Sequence, residues 1–178
     1  TFTYTKLLNS RSGQEDLGRI DFIQSKPIPK EFEARVVAGI EACAADFDVI
    51  LISDQAETEH SAVVTGALRE ALARLARRHP EKIIWVDSRM RPELFRGVLV
   101  KPNEREAREA CRRALGTQDF HALLRLIGHS RMLITHGAGG VLILENGGET
   151  WVRTRAVSEP VDICGAGDTY CGLYPSLN

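Results

Sequence analysis

Hydrophobic and polar positions along the chain follow two different periods. Residues 47–53 form a short run rich in β-branched side chains, which is typical of a strand buried on both faces of a parallel sheet. Residues 59–79 then place apolar side chains three and four positions apart, which predicts an amphipathic helix. Similar apolar runs predict four more strands, over 82–87, 97–100, 131–135 and 141–144. Two more helices are predicted over 103–115 and 119–128. This alternation predicts an α/β fold with a mainly parallel sheet.

The start of the chain differs from the rest. Residues 1–8 and 17–23 read as extended segments around a polar loop, which predicts a lid or accessory hairpin within 1–28. The α/β core is expected over 29–178, and both parts are expected to form a single domain. The helix predicted after Pro29 is expected to turn four apolar side chains inward: Phe32, Val36, Val37 and Ile40.

Composition and charge exclude several classes of protein. The 178 residues are 43% hydrophobic and 26% charged, which indicates a folded globular chain rather than a disordered one. A net charge of −1 offers no electrostatic basis for binding nucleic acid or an anionic membrane. No apolar run approaches the roughly 20 residues that span a bilayer, and the first residues do not resemble a signal peptide. The four cysteines lack metal-site spacing and are expected to be reduced, so we expect a cytoplasmic protein.

A run of small residues near the end of the chain carries the main candidate chemistry. Gly165, Ala166 and Gly167 allow backbone N–H groups to approach an anion, and the start of a helix there would add its unsatisfied donors. Asp168 follows at once and can take a proton from a hydroxyl while the amides hold phosphate charge. The alternative is a glycine-rich turn whose acidic residue suits the helix dipole.

Lys101, Pro102 and Asn103, with Glu106 three residues later, form a second candidate segment. Asn103 is a good N-cap, and Glu106 can return a hydrogen bond in a capping box. A carboxylate at the start of a helix beside a sheet edge can also hold a hydrated Mg²⁺. The two roles are compatible.

The third segment is the glycine-rich turn from Thr135 to Gly140. It does not fit a dinucleotide fingerprint, because the residues after it read as a strand rather than a helix. A tight turn between strands is the structural alternative. We interpret His136 as a loop residue rather than a catalytic base, since the sequence fixes no carboxylate partner for it.

In this order, the three segments resemble the motifs of the ribokinase-type (PfkB-like) family of carbohydrate kinases. The family motifs are Lys-Pro-Asn-x-x-Glu, Thr-x-Gly-x-x-Gly and Asp-Thr-x-Gly-Ala-Gly-Asp-Thr-Phe, and the resemblance covers residues 47–172. It implies a three-layer α/β/α fold, lacking its first strands and last helices. It also implies a nucleotide-binding core that uses ATP and Mg²⁺ to phosphorylate a small-molecule sugar, and it is compatible with a homodimer.

The resemblance assigns a role to each matching residue. It implies that Asp168 is the base and that the amides of Gly165, Ala166 and Gly167 hold the phosphate, with Glu106 at the metal. The residues implied beside the nucleotide are Lys101, Asn103, Thr135, Gly137 and Gly140. The segment after Asp54 departs from the family's Asp-Tyr-x-Lys-Gly pattern. The alternative function is a kinase-like module that binds nucleotide or a partner without catalysis.

Overall fold

The chain begins with an antiparallel hairpin that forms a sheet of its own. A computed structural model describes residues 3–13, 15–58, 62–155 and 165–173. Strand β1 (Thr3–Leu8) pairs with β2 (Glu15–Phe22) through an irregular register. The prediction of two extended segments near the start of the chain is confirmed, since both form strands of this hairpin.

A three-stranded parallel sheet follows the first long helix. Helix α1 (Lys30–Cys43) leads into β3 (Val49–Asp54), and helix α2 (Gly66–Arg78) connects β3 to β4 (Ile83–Ser88). The short β5 (Leu99–Val100) completes the order β3-β4-β5. Parallel neighbours joined by a helix are the unit that the alternating sequence pattern predicts.

The second half adds three helices and an antiparallel sheet. Its helices are α3 (Glu104–Leu115), α4 (Phe120–Ile127) and α5 (Ala166–Leu173), and its strands are β6 (Arg131–Thr135), β7 (Val141–Glu145) and β8 (Gly148–Val152). The order β6-β7-β8 is antiparallel throughout. A single parallel bridge between Asn103 and Thr135 connects the end of β6 to the chain after β5. The α/β fold class is confirmed, although the sheet after β5 is antiparallel.

Two local predictions are wrong. The helix predicted from residue 59 begins at Gly66, because the side chain of Thr65 caps it by accepting a hydrogen bond from Leu68 N. Phe32 does not face the core and is 45% exposed. In α1 only its later apolar positions pack against the core, partly buried: Val36, Val37 and Ile40.

Two groups of buried side chains hold the layers together. The larger packs α2, α3 and α4 against the strands and includes Leu72, Phe95 and Ile134. The smaller lies on the other side, where Trp85 and Leu133 are fully buried and Cys171 of α5 is 6% exposed. Helices therefore cover both sides of the strands. None of the helices in the described part of the chain is long and apolar enough to cross a membrane.

Candidate active site

The ends of four strands meet along one edge of the fold. Asp54 ends β3 and accepts a hydrogen bond from the hydroxyl of Ser88, at the end of β4, at 2.8 Å. The chain continues past β5 with Lys101, and the amide of Thr135, at the end of β6, donates to Pro102 O at 3.0 Å. This edge is where α/β folds place their ligands, because the carboxyl ends of parallel strands open toward helix N-termini.

Helix α5 presents an open N-terminus at this edge. Gly165 has a φ of +76°, and its carbonyl accepts the first helical hydrogen bond, from Thr169 N at 2.8 Å. No acceptor among the described residues takes a hydrogen bond from the amides of Ala166, Gly167 or Asp168. Asp168 is exposed and makes no hydrogen bond or ion pair within the described part of the chain. Among the described residues, the first turn of α5 thus places several backbone N–H donors and one carboxylate close together, an arrangement suited to an anion.

A buried ion pair lies beneath the first turn of α5. Lys101 is only 4% exposed, and its Nζ lies 3.1 Å from Oδ2 of Asp87. A Cβ added to Gly167 would lie 3.6 Å from that Nζ, so the lysine approaches the helix backbone closely. A side chain larger than a methyl group at Gly167 would therefore crowd the lysine. The pair brings a positive charge beneath the amides of α5.

Cys171 attaches the same helix to the sheet. Its Sγ accepts a hydrogen bond from Trp85 Nε1 at 3.2 Å and donates to Asp87 Oδ2 at 3.5 Å. Burial is the main cause that raises the pKa of the Cys171 thiol to about 11. The thiol therefore stays protonated at neutral pH and acts as a structural contact rather than a nucleophile.

The predicted capping box is present at the start of α3. Asn103 Oδ1 accepts from Glu106 N at 2.9 Å, and Glu106 Oε2 accepts from Asn103 N at 2.8 Å. Burial raises the pKa of the Glu106 carboxyl and the nearby charge of Asp87 adds to the rise, against the hydrogen bond from Asn103. The second oxygen, Oε1, accepts no hydrogen bond from the described residues, so one carboxylate oxygen is available to a ligand.

The glycine-rich turn is shaped by its neighbours in the sheet. A Cβ on Gly140 would lie 2.1 Å from the carbonyl oxygen of Val152, and its φ is +99°. Gly137 has a φ of +53° and nothing within 4 Å of an added Cβ. Gly140 is therefore required by packing, whereas the space beside Gly137 is open.

His136 has a carboxylate partner that the sequence did not reveal. Its Nδ1 lies 3.1 Å from Oε2 of Glu104, and its ring centroid lies 4.7 Å from that of Trp151. Nε2 is buried and has no partner among the described residues. The interpretation of His136 as a loop residue is confirmed, and its contact with Glu104 is one that the sequence alone does not fix.

The structure brings most of the predicted residues to one edge. Lys101 meets Gly167, and Asn103 meets Thr135. No hydrogen bond joins Asp168 to Glu106 in the described part of the chain. Sequence reasoning missed the roles of Trp85 and Cys171 in fixing α5, because a tryptophan and a cysteine 86 residues apart carry no local signal.

Comparison with known proteins decides the family. Residues 28–175 match the family described as pfkB family carbohydrate kinase. The chain belongs to the pfkB family. The matched range contains every predicted site residue from Lys101 to Asp168.

The chain is also similar to a curated relative in sequence and to solved ribokinases in fold. The bifunctional protein HldE of Geotalea uraniireducens is 29% identical over 89% of this chain and 33% of its own length. Ribokinase from Thermotoga maritima has a TM-score of 0.59 at 20% identity, covering 91% of this chain and 51% of that one. Arabidopsis thaliana ribokinase, solved with ribose and ATP, has a TM-score of 0.55 at 16% identity, covering 96% and 54%. The chain thus spans about a third of its curated relatives and half of these structures.

Proposed function

We propose that the protein containing this chain transfers the γ-phosphoryl group of ATP to a hydroxyl of a sugar or sugar-like substrate. The observation that carries the proposal is the N-terminus of α5, where amide donors without partners in the described part of the chain adjoin the unpaired carboxylate of Asp168. The family assignment supports it, and a ribokinase of similar fold was solved with ribose and ATP.

In this proposal Asp168 is the base. Its carboxylate takes the proton of the attacking hydroxyl as the hydroxyl oxygen bonds to the γ-phosphorus and the bond from phosphorus to ADP breaks. The amides of Gly165, Ala166 and Gly167 hold the charge on the phosphoryl oxygens. Lys101 adds a positive charge beneath them, while Asp87 fixes its position. Positioning and electrostatics supply most of the catalysis in such transfers.

The residues at the start of α3 fit a hydrated magnesium ion. Mg²⁺ in phosphoryl-transfer sites keeps several waters and uses one or two carboxylates together with substrate phosphates. Glu106 offers Oε1 while Oε2 remains in the capping box, and Asn103 lies beside it. The described residues contain no cluster of three or more His, Cys, Asp or Glu side chains suited to a metal. The ion would neutralise phosphate charge.

The remaining assignments follow the same proposal. Thr135 and Gly137 border the nucleotide, and the open space beside Gly137 supports this role. Gly140 is assigned there as well, although its packing against Val152 already requires a glycine. We propose a small-molecule sugar as acceptor, a cytoplasmic location and a homodimer, and no role for nucleic acid or membrane.

The test is an Asp168→Asn substitution in the natural, full-length protein. We expect turnover on the best substrate of a sugar panel to fall roughly 10²–10⁴-fold, the usual contribution of a general base. ATP affinity, measured by calorimetry with MgCl₂, should change only a few-fold because the amides remain. Equal turnover in the variant would remove Asp168 from the mechanism. ATP binding by the wild type without turnover on any sugar would favour the non-catalytic module.

A further inference from the structure

A cavity of about 720 Å³ lies outside the candidate active site. It opens between α2, the segment after β4, and the facing sides of α3 and α4, and shares no lining residue with the α5 edge. We call it the arginine cavity, because its wall includes Arg69, Arg91, Arg96 and Arg113. Its volume is in the range of cavities that hold small organic ligands.

Two of the four arginines are neutralised within the protein. Arg91 is 6% exposed, and its Nε lies 3.2 Å from Asp54 Oδ2. Arg113 binds both oxygens of Glu93, through Nε at 2.7 Å and Nη2 at 3.0 Å. Glu93 is itself 5% exposed, and both of its carboxylate oxygens are used in the ion pair with Arg113.

The other two arginines have no ion-pair partner among the described residues. Arg69 donates from Nη1 to Val64 O at 3.0 Å, and Arg96 donates from Nη1 to the carbonyls of Glu93 and Phe95 at 2.6 and 2.7 Å. Neither has a carboxylate within ion-pair distance in the described part of the chain. Glu57, the remaining acidic lining residue, pairs with Arg89 at 3.2 Å. The cavity wall therefore carries two positively charged guanidinium groups, those of Arg69 and Arg96. Their Nε and Nη2 atoms donate to no acceptor among the described residues.

The electrostatic cost of this arrangement is visible at Arg69. Burial lowers the pKa of the Arg69 guanidinium, and the positive charge of Arg91 lowers it further. Both effects disfavour a charged group in this position, and the carboxylates of Asp54 and Glu93 offset them only in part. A bound anion would relieve the repulsion.

The rest of the wall is apolar. Met90, Leu94, Ala114 and Leu126 line the same cavity. The side chains of Met90 and Leu94 are 37% and 45% exposed. A ligand that suits the whole cavity thus has an anionic end and an apolar or neutral body, because a free phosphate ion would leave most of the volume empty.

We propose that the arginine cavity binds a small phosphomonoester, whose phosphoryl group lies against Arg69 and Arg96 and whose organic part packs on the apolar wall. Guanidinium groups form strong, charge-assisted hydrogen bonds with phosphate oxygens, often two at a time. The site is additional to the phosphate-binding edge at α5 and does not depend on kinase activity.

The proposal is tested by calorimetric titration of the natural, full-length protein with phenyl phosphate, in saturating ADP and MgCl₂. We expect a dissociation constant near or below about 1 mM for the wild type, and weaker binding of inorganic phosphate, which lacks the apolar body. Phenol, which lacks the anion, should not bind. Arg69→Gln and Arg96→Gln should each weaken phenyl phosphate about 10-fold or more, since each removes a charged hydrogen-bond donor.

Arg77→Gln is the matched control. Arg77 is an exposed arginine of α2 that does not line the arginine cavity, so its loss changes net charge equally but should alter affinity less than about twofold. Arg96 is exposed, so its substitution should leave the fold intact even if Arg69→Gln does not. Absence of binding to the wild type up to about 10 mM, or equal binding by Arg96→Gln, would overturn the proposal. Phenyl phosphate could also bind at the α5 edge if ADP does not fill it. Such binding would appear as a second class of sites, and Arg96→Gln would leave its affinity unchanged.

Discussion

Helices α3 and α5 begin at the same edge of the fold but treat their first turns in opposite ways. At α3, the side chains of Asn103 and Glu106 accept hydrogen bonds from each other's backbone amides, so two donors at this helix end are satisfied. At α5, three small residues precede Asp168, and the amides of its first turn have no acceptor within the described residues. Both ends have the same dipole, but the capping box uses the third amide of α3, whereas no described acceptor takes any of the three amides at α5.

The same backbone amide cannot be used both for capping a helix and for binding an anion. A capping box stabilises its helix by satisfying donors, which removes them from anion binding. An open terminus keeps its donors but needs support from elsewhere, and α5 obtains it from Cys171 and from the close approach of Lys101 to Gly167. On this basis we expect phosphate to bind at α5, and α3 to contribute only the Glu106 oxygen that lies outside the capping box.

The largest loss of stability is expected from Gly140→Ala. This substitution tests whether the glycines of the turn from Thr135 to Gly140 are needed for packing or for binding a ligand. The added Cβ would meet a backbone carbonyl oxygen at 2.1 Å, in a backbone with φ +99°. We expect a loss of about 3 kcal/mol or more in the free energy of unfolding, measured with urea. Gly137→Ala, with open space around the Cβ, should cost only about 1–2 kcal/mol. Equal losses at the two glycines would show that packing against Val152 is unimportant.

A smaller effect is expected from Gly165→Ala, which strains the open terminus itself. Gly165 has a φ of +76° with nothing within 4 Å of an added Cβ, so the loss should be about 1–2 kcal/mol in unfolding free energy. ATP affinity should fall as well, because the backbone that sets the direction of the amides is disturbed. Gly172→Ala, inside α5 and free of contacts, should instead gain about 0.5–1 kcal/mol and leave ATP affinity unchanged. The same ATP affinity in both variants would argue against a phosphate site at α5.

The smallest effect is expected from Glu106→Gln, which keeps the capping box but removes the charge. We expect the magnesium concentration for half-maximal rate to rise roughly 10-fold, with little change in stability, because Gln also serves in a capping box. Glu104→Gln is the control, since Glu104 is the other acidic residue of the same first turn and pairs with Arg108 at 2.7 Å. An unchanged magnesium requirement would limit Glu106 to its capping role.

The sequence predicts local features of this protein well. The capping box is set by two residues three positions apart, and it is present as expected. Strands β3, β4 and β6 are found close to their predicted ranges, because continuous apolar runs mark buried strands. Strand β8 was not predicted, since every residue from Gly148 to Val152 is exposed and leaves no hydrophobic alternation.

Features that depend on distant residues could not be predicted. The contact between Asp87 and Cys171 joins residues 84 positions apart, and the hydrogen bonds of Arg91 to Asp54 join residues 37 apart. Neither pair follows a periodic pattern. Phe32 has the helical spacing of a core residue, yet α1 has little to pack against at its first turn. The catalytic and metal roles of Asp168 and Glu106 stay predictions.

The most direct test of the difference between the two helices is amide hydrogen exchange, with and without saturating ATP and MgCl₂. If phosphate binds the open terminus, the amides of Ala166, Gly167 and Asp168 should exchange more slowly in the complex. Those of Asn103 and Glu106, already hydrogen-bonded in the capping box, should change little. Unchanged exchange at α5 together with new protection at α3 would contradict the assignment.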